Sequence, residues 1–129
     1  MRKRTYVYIA GPYMDSGKFH DHRGYHEIDV NISRAREAAV FLASNRVPYF
    51  CPHLNSCHFE VIAPTVPSEF WYEMDLQLLR PAAAVLLLDG WGSSHGTRRE
   101  IDLAEDLDIP IFFPAGRRAL VRWWRDEPS

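Results

Sequence analysis

Apolar residues in this chain fall in short runs separated by longer polar or periodic stretches. Residues 5–10 are rich in β-branched and aromatic side chains and stop at Gly11-Pro12, which predicts a buried first strand closed by a turn. Residues 14–29 are polar, contain Gly17 and Gly24 and show no clear period. Ile32, Ala35, Ala39, Leu42 and Ala43 then recur at helical spacing and predict a first helix over about 31–44. Residues 47–50 predict a second strand. Residues 51–67, with prolines at 52, 64 and 67, predict a loop long enough to carry function.

Ser68 reads as the N-cap of a second helix, marked by Trp71, Met74 and Leu78 and ended by Pro81. Residues 83–88 predict a third strand. A Gly/Ser-rich turn over 89–96 leads into a third helix through Ile101, Ala104 and Leu107. Residues 109–113 predict a fourth strand, and an amphipathic helix from near Ala115 carries Leu120, Val121, Trp123 and Trp124. Strand and helix thus alternate four times, and the strands lack a polar alternate face. That pattern predicts a parallel sheet of four to five strands covered by helices on both sides, a three-layer α/β/α domain. Ligands of such sheets bind at the carboxyl ends of the strands, which directs attention to residues 10–29, 51–67 and 89–97.

Composition narrows the class without changing this picture. With 129 residues, 47% hydrophobic and 25% charged, the chain reads as one folded domain spanning 1–129 and not as a disordered, collagenous or disulfide-stapled protein. A formal net charge of -2 supplies no field to draw a nucleic-acid polymer. The basic groups Arg2-Lys3-Arg4, Arg98-Arg99 and Arg117-Arg118 are short enough to be solvated surface, with anion binding the alternative for Arg98 and Arg99. Only Cys51 and Cys57 are present, the N-terminus shows no secretory pattern, and the longest apolar run, from 82 to 88, is far below the about 20 residues of a spanning helix. A cytoplasmic protein with no membrane segment is expected.

Candidate chemistry concentrates after the third strand. Ser93, Ser94, Gly96 and Thr97 lead into a helix whose first N–H groups can hold an anion, although the stretch matches neither the Walker nor the dinucleotide pattern. Glu100 follows Thr97 by three residues. It reads either as the far end of a capping box or as an ionised carboxylate near the positive helix terminus, facing the pocket as a nucleophile. With Asp75 and Asp89 it places three carboxyl groups around one cleft, an arrangement suited to positive charge developing on a substrate, as in glycosidic cleavage. Trp91, in the glycine turn, is expected to line that cleft. Phe70, Trp71, Tyr72, Trp123 and Trp124 read as core or interface residues at helical spacing. His20, Asp21, His22, His26 and Asp29, and Cys51, His53, Cys57 and His58, contain metal-binding residue types, but apart from the helical pair His22 and His26 they lack compact ligand spacing. No metal or cofactor is expected.

Tyr8-Ile-Ala-Gly-Pro-Tyr13, Asn31 opening a helix with Ala35 and Ala39, Pro52-His53, Asp75-Leu-x-x-Leu79 and Asp89-Gly-Trp-x-x-Ser94-x-Gly-Thr-x-x-Glu100, in this order, resemble the nucleoside 2-deoxyribosyltransferase superfamily, and its small DUF4406-like branch in particular. The resemblance covers residues 6 to about 113. It implies a flavodoxin-like, Rossmann-like domain that cleaves the N-glycosidic bond of a (deoxy)ribonucleoside or its 5′-monophosphate. Glu100 would form a covalent glycosyl ester, Tyr8 would orient it, and Asp75 and Asp89 would assist. Ser94 and Gly96 resemble the Ser-x-Gly of the branch that hydrolyses nucleoside 5′-monophosphates, and with Thr97 they would hold the phosphate. Gly11, Pro12, His53 and Trp91 would complete the substrate contacts. A homodimer or higher homo-oligomer is implied as well. Base exchange in place of hydrolysis, a nucleotide-binding module without turnover and a metal-dependent hydrolase remain alternatives. Segments 14–29 and 54–67 are particular to this chain, so base specificity is not implied.

Overall fold

The computed structural model describes residues 4–13 and 22–126. Four strands, β1 (Val7–Ala10), β2 (Tyr49–Phe50), β3 (Ala84–Leu87) and β4 (Ile111–Phe112), form one sheet in the order β2-β1-β3-β4, with every pairing parallel. Among the described residues six α-helices accompany them: α1 (His22–Ser44), the single turns α2 (Pro52–Asn55) and α3 (Phe59–Ile62), α4 (Ser68–Leu79), α5 (His95–Asp106) and α6 (Arg117–Asp126). The order is that of a flavodoxin-like doubly wound sheet, and its direction reverses between β1 and β3.

The period-two geometry of a strand splits β1 and β3 between two cores. Val7, Ile9, Ala84 and Leu86 face Ala35, Ala38, Ala39 and Leu42 of α1 and Leu120 and Val121 of α6. Tyr8, Ala10, Val85 and Leu87 face the opposite layer, with Leu79 of α4 and Ala104 of α5. Both faces are buried, so no polar alternation is visible in the sequence. The expected three-layer α/β/α architecture is the one observed. No helix among the described residues is long and apolar enough to cross a membrane.

Several boundaries differ from expectation for identifiable reasons. The second and fourth strands are shorter because Pro48 and Pro110 have no N–H to give; their carbonyls only accept, from Val7 and Val85 at 2.9 Å each. Helix α1 begins nine residues before the expected 31, since Ile28 continues the buried stripe of Ile32, Ala35, Ala39 and Leu42. The loop 51–67 contains α2 and α3, joined through His58 in the left-handed region at φ 64°. Pro67, in extended conformation, occupies the N-cap position of α4, and Ser68 is already helical. The last helix is preceded by a 3-10 turn over Pro114–Gly116.

The aromatic and basic clusters also find places. Trp123 packs on Phe112 at 5.5 Å between ring centroids, and the Arg4 guanidinium lies 3.8 Å over the Trp123 ring. Phe70 and Tyr72 of α4 are exposed and do not belong to a core. Arg117 pairs with Glu37 at 2.7 Å. Arg2, Lys3, His20 and Asp21 lie outside the described residues.

Candidate active site

A cavity of about 170 Å³ opens at the carboxyl ends of the strands, beside the switch point, and is far larger than the space one water needs. Its floor includes Ile9, Ala10 and Gly11 of β1 and the turn beyond it. Gly11 is required there, because a Cβ at this position would stand 2.6 Å from Leu88 Cβ. One wall is a stripe of α4, Ser68, Trp71, Tyr72, Asp75 and Leu76, at the spacing of one helix face. This face of α4 serves the cavity and not the core, although Trp71 and Tyr72 read as packing positions in sequence.

The second wall is the start of α5. Ser94 is its N-cap, and the Thr97 N–H donates to Ser94 Oγ at 3.2 Å. The first intrahelical bond runs from the Arg98 N–H to the Ser94 carbonyl, which leaves the N–H groups of His95 and Gly96 ahead of the ladder. Since the cap is Ser94 and not Thr97, Glu100 lies beyond the third helical position, where a capping-box glutamate would stand. The capping-box account of Glu100 therefore fails. Its carboxyl is instead in the cavity, where it accepts a hydrogen bond from the hydroxyl of Tyr8, a residue 0% exposed beneath the floor.

The electrostatics of this group also depart from expectation. Burial pushes the Glu100 carboxyl up to about 8; the Tyr8 hydrogen bond opposes the rise and the Asp75 charge adds to it. Glu100 is thus not held ionised by the helix terminus, because loss of hydration outweighs the helix field. Burial likewise raises Asp75 to about 6. The two carboxyls form a coupled pair that carries one proton between those values. Burial first, then the Glu100 and Asp75 charges, holds the Tyr8 hydroxyl well above its usual range, so it remains a donor.

A third wall comes from the segment 51–67. His53 is 5% exposed, and its Nε2 lies 2.7 Å from the Pro12 carbonyl. The Tyr13 hydroxyl accepts from the His58 N–H at 2.6 Å and donates to Glu60 Oε1 at 2.8 Å. Phe59 and Trp71 meet edge to face at 5.3 Å. Four buried polar atoms in the cavity lining lack a hydrogen-bond partner: His53 Nδ1, Glu60 Oε2, Asp75 Oδ1 and Thr97 Oγ1. Buried polar groups are nearly always paired, with protein, water or a ligand, so such a concentration singles out this cavity as the candidate site.

Of the residues singled out in sequence, Glu100, Asp75, Gly11, His53, Ser94, Gly96 and Thr97 line this cavity, and Tyr8 supports it from below. Three do not. Asp89 is exposed at the end of β3, because the next residue, Gly90, turns left-handed at φ 86° and carries the chain away. The Trp91 ring packs on Phe113 at 5.4 Å beyond β4. Pro12 lines a neighbouring depression of about 500 Å³ that shares Tyr72, Ser94 and Gly96 with the cavity, and its carbonyl meets His53.

The third cavity carboxyl is therefore Glu60, not Asp89. Glu60 sits in a segment with no period to reveal it; only the length of that segment signalled function. Of the two cations that read as either anion-binding or solvated, Arg99 lines the cavity beside Tyr72, whereas Arg98 turns to the Gly92 carbonyl. Among the described residues no group of three His, Cys, Asp or Glu side chains could hold a metal ion. Cys51 is buried, Cys57 is half-buried, and burial raises the Cys51 thiol to about 11.

A doubly wound parallel sheet with two buried carboxyls in a cavity at its switch point defines an α/β/α domain with a candidate site at the strand carboxyl ends. By sequence the chain belongs to the family described as a domain of unknown function, DUF7768, which matches residues 5–113. Comparison with curated proteins gives no match.

Proposed function

We propose that this protein is an N-glycosidase acting on a nucleoside or, preferably, a nucleoside 5′-monophosphate, as the resemblance to the nucleoside 2-deoxyribosyltransferase superfamily implies. The observation that carries the reading is the hydrogen bond from Tyr8 to Glu100, which orients one carboxyl oxygen within a cavity at the strand carboxyl ends. Between about 6 and about 8 the free protein holds its proton on Glu100; the reactive form is the one in which that proton sits on Asp75 and Glu100 is ionised. A Glu100 oxygen bonds to C1′ as the C1′–N bond breaks, the bond's electron pair goes to the base nitrogen, and Asp75 supplies the proton the base takes up. Water then adds its oxygen to C1′, Glu100 leaves as a carboxylate, and the water's proton returns to Asp75.

The 5′-phosphate is assigned to the start of α5. The Gly96 N–H, the unpartnered Thr97 Oγ1 and the Arg99 guanidinium supply donors at that end of the cavity. No cofactor enters these steps. We assign the protein to the cytoplasm on its two free cysteines and, in keeping with the resemblance, to a homodimer or higher homo-oligomer.

The test is incubation of the purified protein with ribo- and deoxyribonucleosides and their 5′-monophosphates, with released base resolved by chromatography. Release that disappears in Glu100→Ala is the expected result. Absence of release from every member would overturn the reading in favour of a binding module. Added free base diverts the sugar only if the enzyme is a transferase.

A further inference from the structure

The wall formed by His53, Tyr13 and Glu60 has a definite hydrogen-bonding polarity. The Pro12 carbonyl can only accept, so the proton of the His53 ring must sit on Nε2, and burial keeps the ring from gaining a second. Nδ1 is then a lone pair, buried and unpartnered. Glu60 is fixed in the same way. The Tyr13 hydroxyl receives the His58 N–H, which leaves its single proton for Glu60 Oε1. Oε2 is buried without a hydrogen bond; His58 Nδ1 lies at 3.8 Å, and the other nitrogen of that ring lies 3.3 Å from Asp29 Oδ1. Two acceptors without a hydrogen-bond donor therefore belong to the cavity wall, which also carries the edge-to-face pair of Phe59 and Trp71.

The position of this wall decides which part of a ligand meets it. On the nucleotide reading above, on which this inference rests, the phosphate lies at the start of α5 and C1′ lies at Glu100. The base then extends toward α2 and α3, where an aromatic pair offers an apolar face to a flat ring. We infer that this wall selects a nucleobase bearing an exocyclic amino group, whose two N–H donors are received by His53 Nδ1 and Glu60 Oε2. The same base with an oxo group at that position would set lone pairs against lone pairs and leave both acceptors unsatisfied. A site built on hydrogen bonds rejects an analogue that lacks the donor more strongly than an apolar pocket rejects a change of size.

The experiment uses isosteric pairs, AMP with IMP and CMP with UMP, in both the ribo and deoxyribo series. Kd is measured by calorimetry on full-length Glu100→Gln protein, so that no ligand is consumed, and base release is followed in parallel on the unsubstituted protein. The amino member of each pair is expected to bind at least about tenfold more tightly. Glu60→Gln keeps an acceptor for Tyr13 and presents an N–H where Oε2 stood, so in that background the preference should vanish or reverse while ribose 5-phosphate binds as before. Equal binding within the pairs, or an amino preference untouched by Glu60→Gln, overturns the inference even if base is released. A preference for ribose over deoxyribose without amino discrimination also overturns it, because the acceptors would then serve sugar hydroxyls. Amino discrimination without base release in any sample leaves this inference standing and removes the glycosidase reading. Should Glu60→Gln fail to fold, the pairs on the unsubstituted wall decide.

Discussion

The Tyr8 hydroxyl donates a hydrogen bond to the Glu100 carboxyl, joining the central strand to the helix that follows the neighbouring strand. The two residues are 92 positions apart and meet because β1 and β3 are adjacent, with Tyr8 opposite Val85 in the ladder. Tyr8→Phe keeps the ring among its neighbours and removes only the hydroxyl. Its expected effect is a fall in kcat of about 10- to 100-fold, the weight of a hydrogen bond to a charged group. Since that bond lowers the Glu100 carboxyl, its loss should also raise the upper limb of the pH–rate profile. An unchanged profile would mean that Tyr8 serves packing alone.

The coupled carboxyls predict a bell-shaped dependence of kcat/KM on pH. Below about 6 both Asp75 and Glu100 carry protons, and no carboxylate is present to attack. Above about 8 both are ionised, and the leaving base receives no proton. The rate should rise through the first value and fall through the second. Asp75→Asn removes the partner charge, which lowers Glu100 and should leave a residual rate without the alkaline fall.

Stability should report the same burial. Glu100 folds with its carboxyl raised above the unfolded value, so the folded state binds the extra proton. The sign follows: this group costs nothing at low pH, and stability is lost as pH rises from the unfolded value through about 8. Glu100→Gln should therefore raise Tm more at pH 9 than at pH 5, by on the order of 1 kcal/mol or a few degrees. Thermal melts at the two pH values measure the difference.

Gly11→Ala tests the floor of the cavity. An added methyl would meet Leu88 Cβ at 2.6 Å and Cδ1 at 2.9 Å, so β1 and β3 must separate at their carboxyl ends. A destabilisation of about 1–3 kcal/mol is expected in urea titration, the usual cost of overpacking.

Arg99→Ala tests the anion end. Arg99 lies 3.8 Å from Glu69 and 5.6 Å over the Tyr72 ring, a loose arrangement open to a stronger anionic partner. KM for a 5′-monophosphate should rise about tenfold while that for the free nucleoside stays within twofold. Equal changes for both substrates would place the phosphate elsewhere.

Layer order and strand direction were legible in the sequence because local hydrophobic runs and helical periods are set by short-range geometry. Residues 5–10 and 83–88 read as doubly buried strands, and the Gly/Ser turn before residue 97 read as an anion cradle, since each signal lies within a few consecutive residues. Glu100 and Asp75 could be picked out as acidic groups near the strand ends. The meeting of Glu100 with Tyr8, and the raised carboxyls of both acids, depend on burial that no local pattern encodes.

The remainder was decided by packing between distant segments. Ser94 and Thr97 were equally suited to cap α5, and the folded chain uses Ser94, which frees Glu100 for the cavity. Asp89 read as a carboxyl of the cleft, whereas Glu60 carried no signal of its own. The left-handed turn at Gly90 turns the first out to solvent, while the hydroxyl of Tyr13, 47 residues away in sequence, draws the second into the site. The sequence by itself determined the sheet, its helices and the residue types available at the strand ends, through periodicity and turn chemistry. Tertiary structure alone decided which of those groups lose their water together, and desolvation is what turns a set of ordinary side chains into a site.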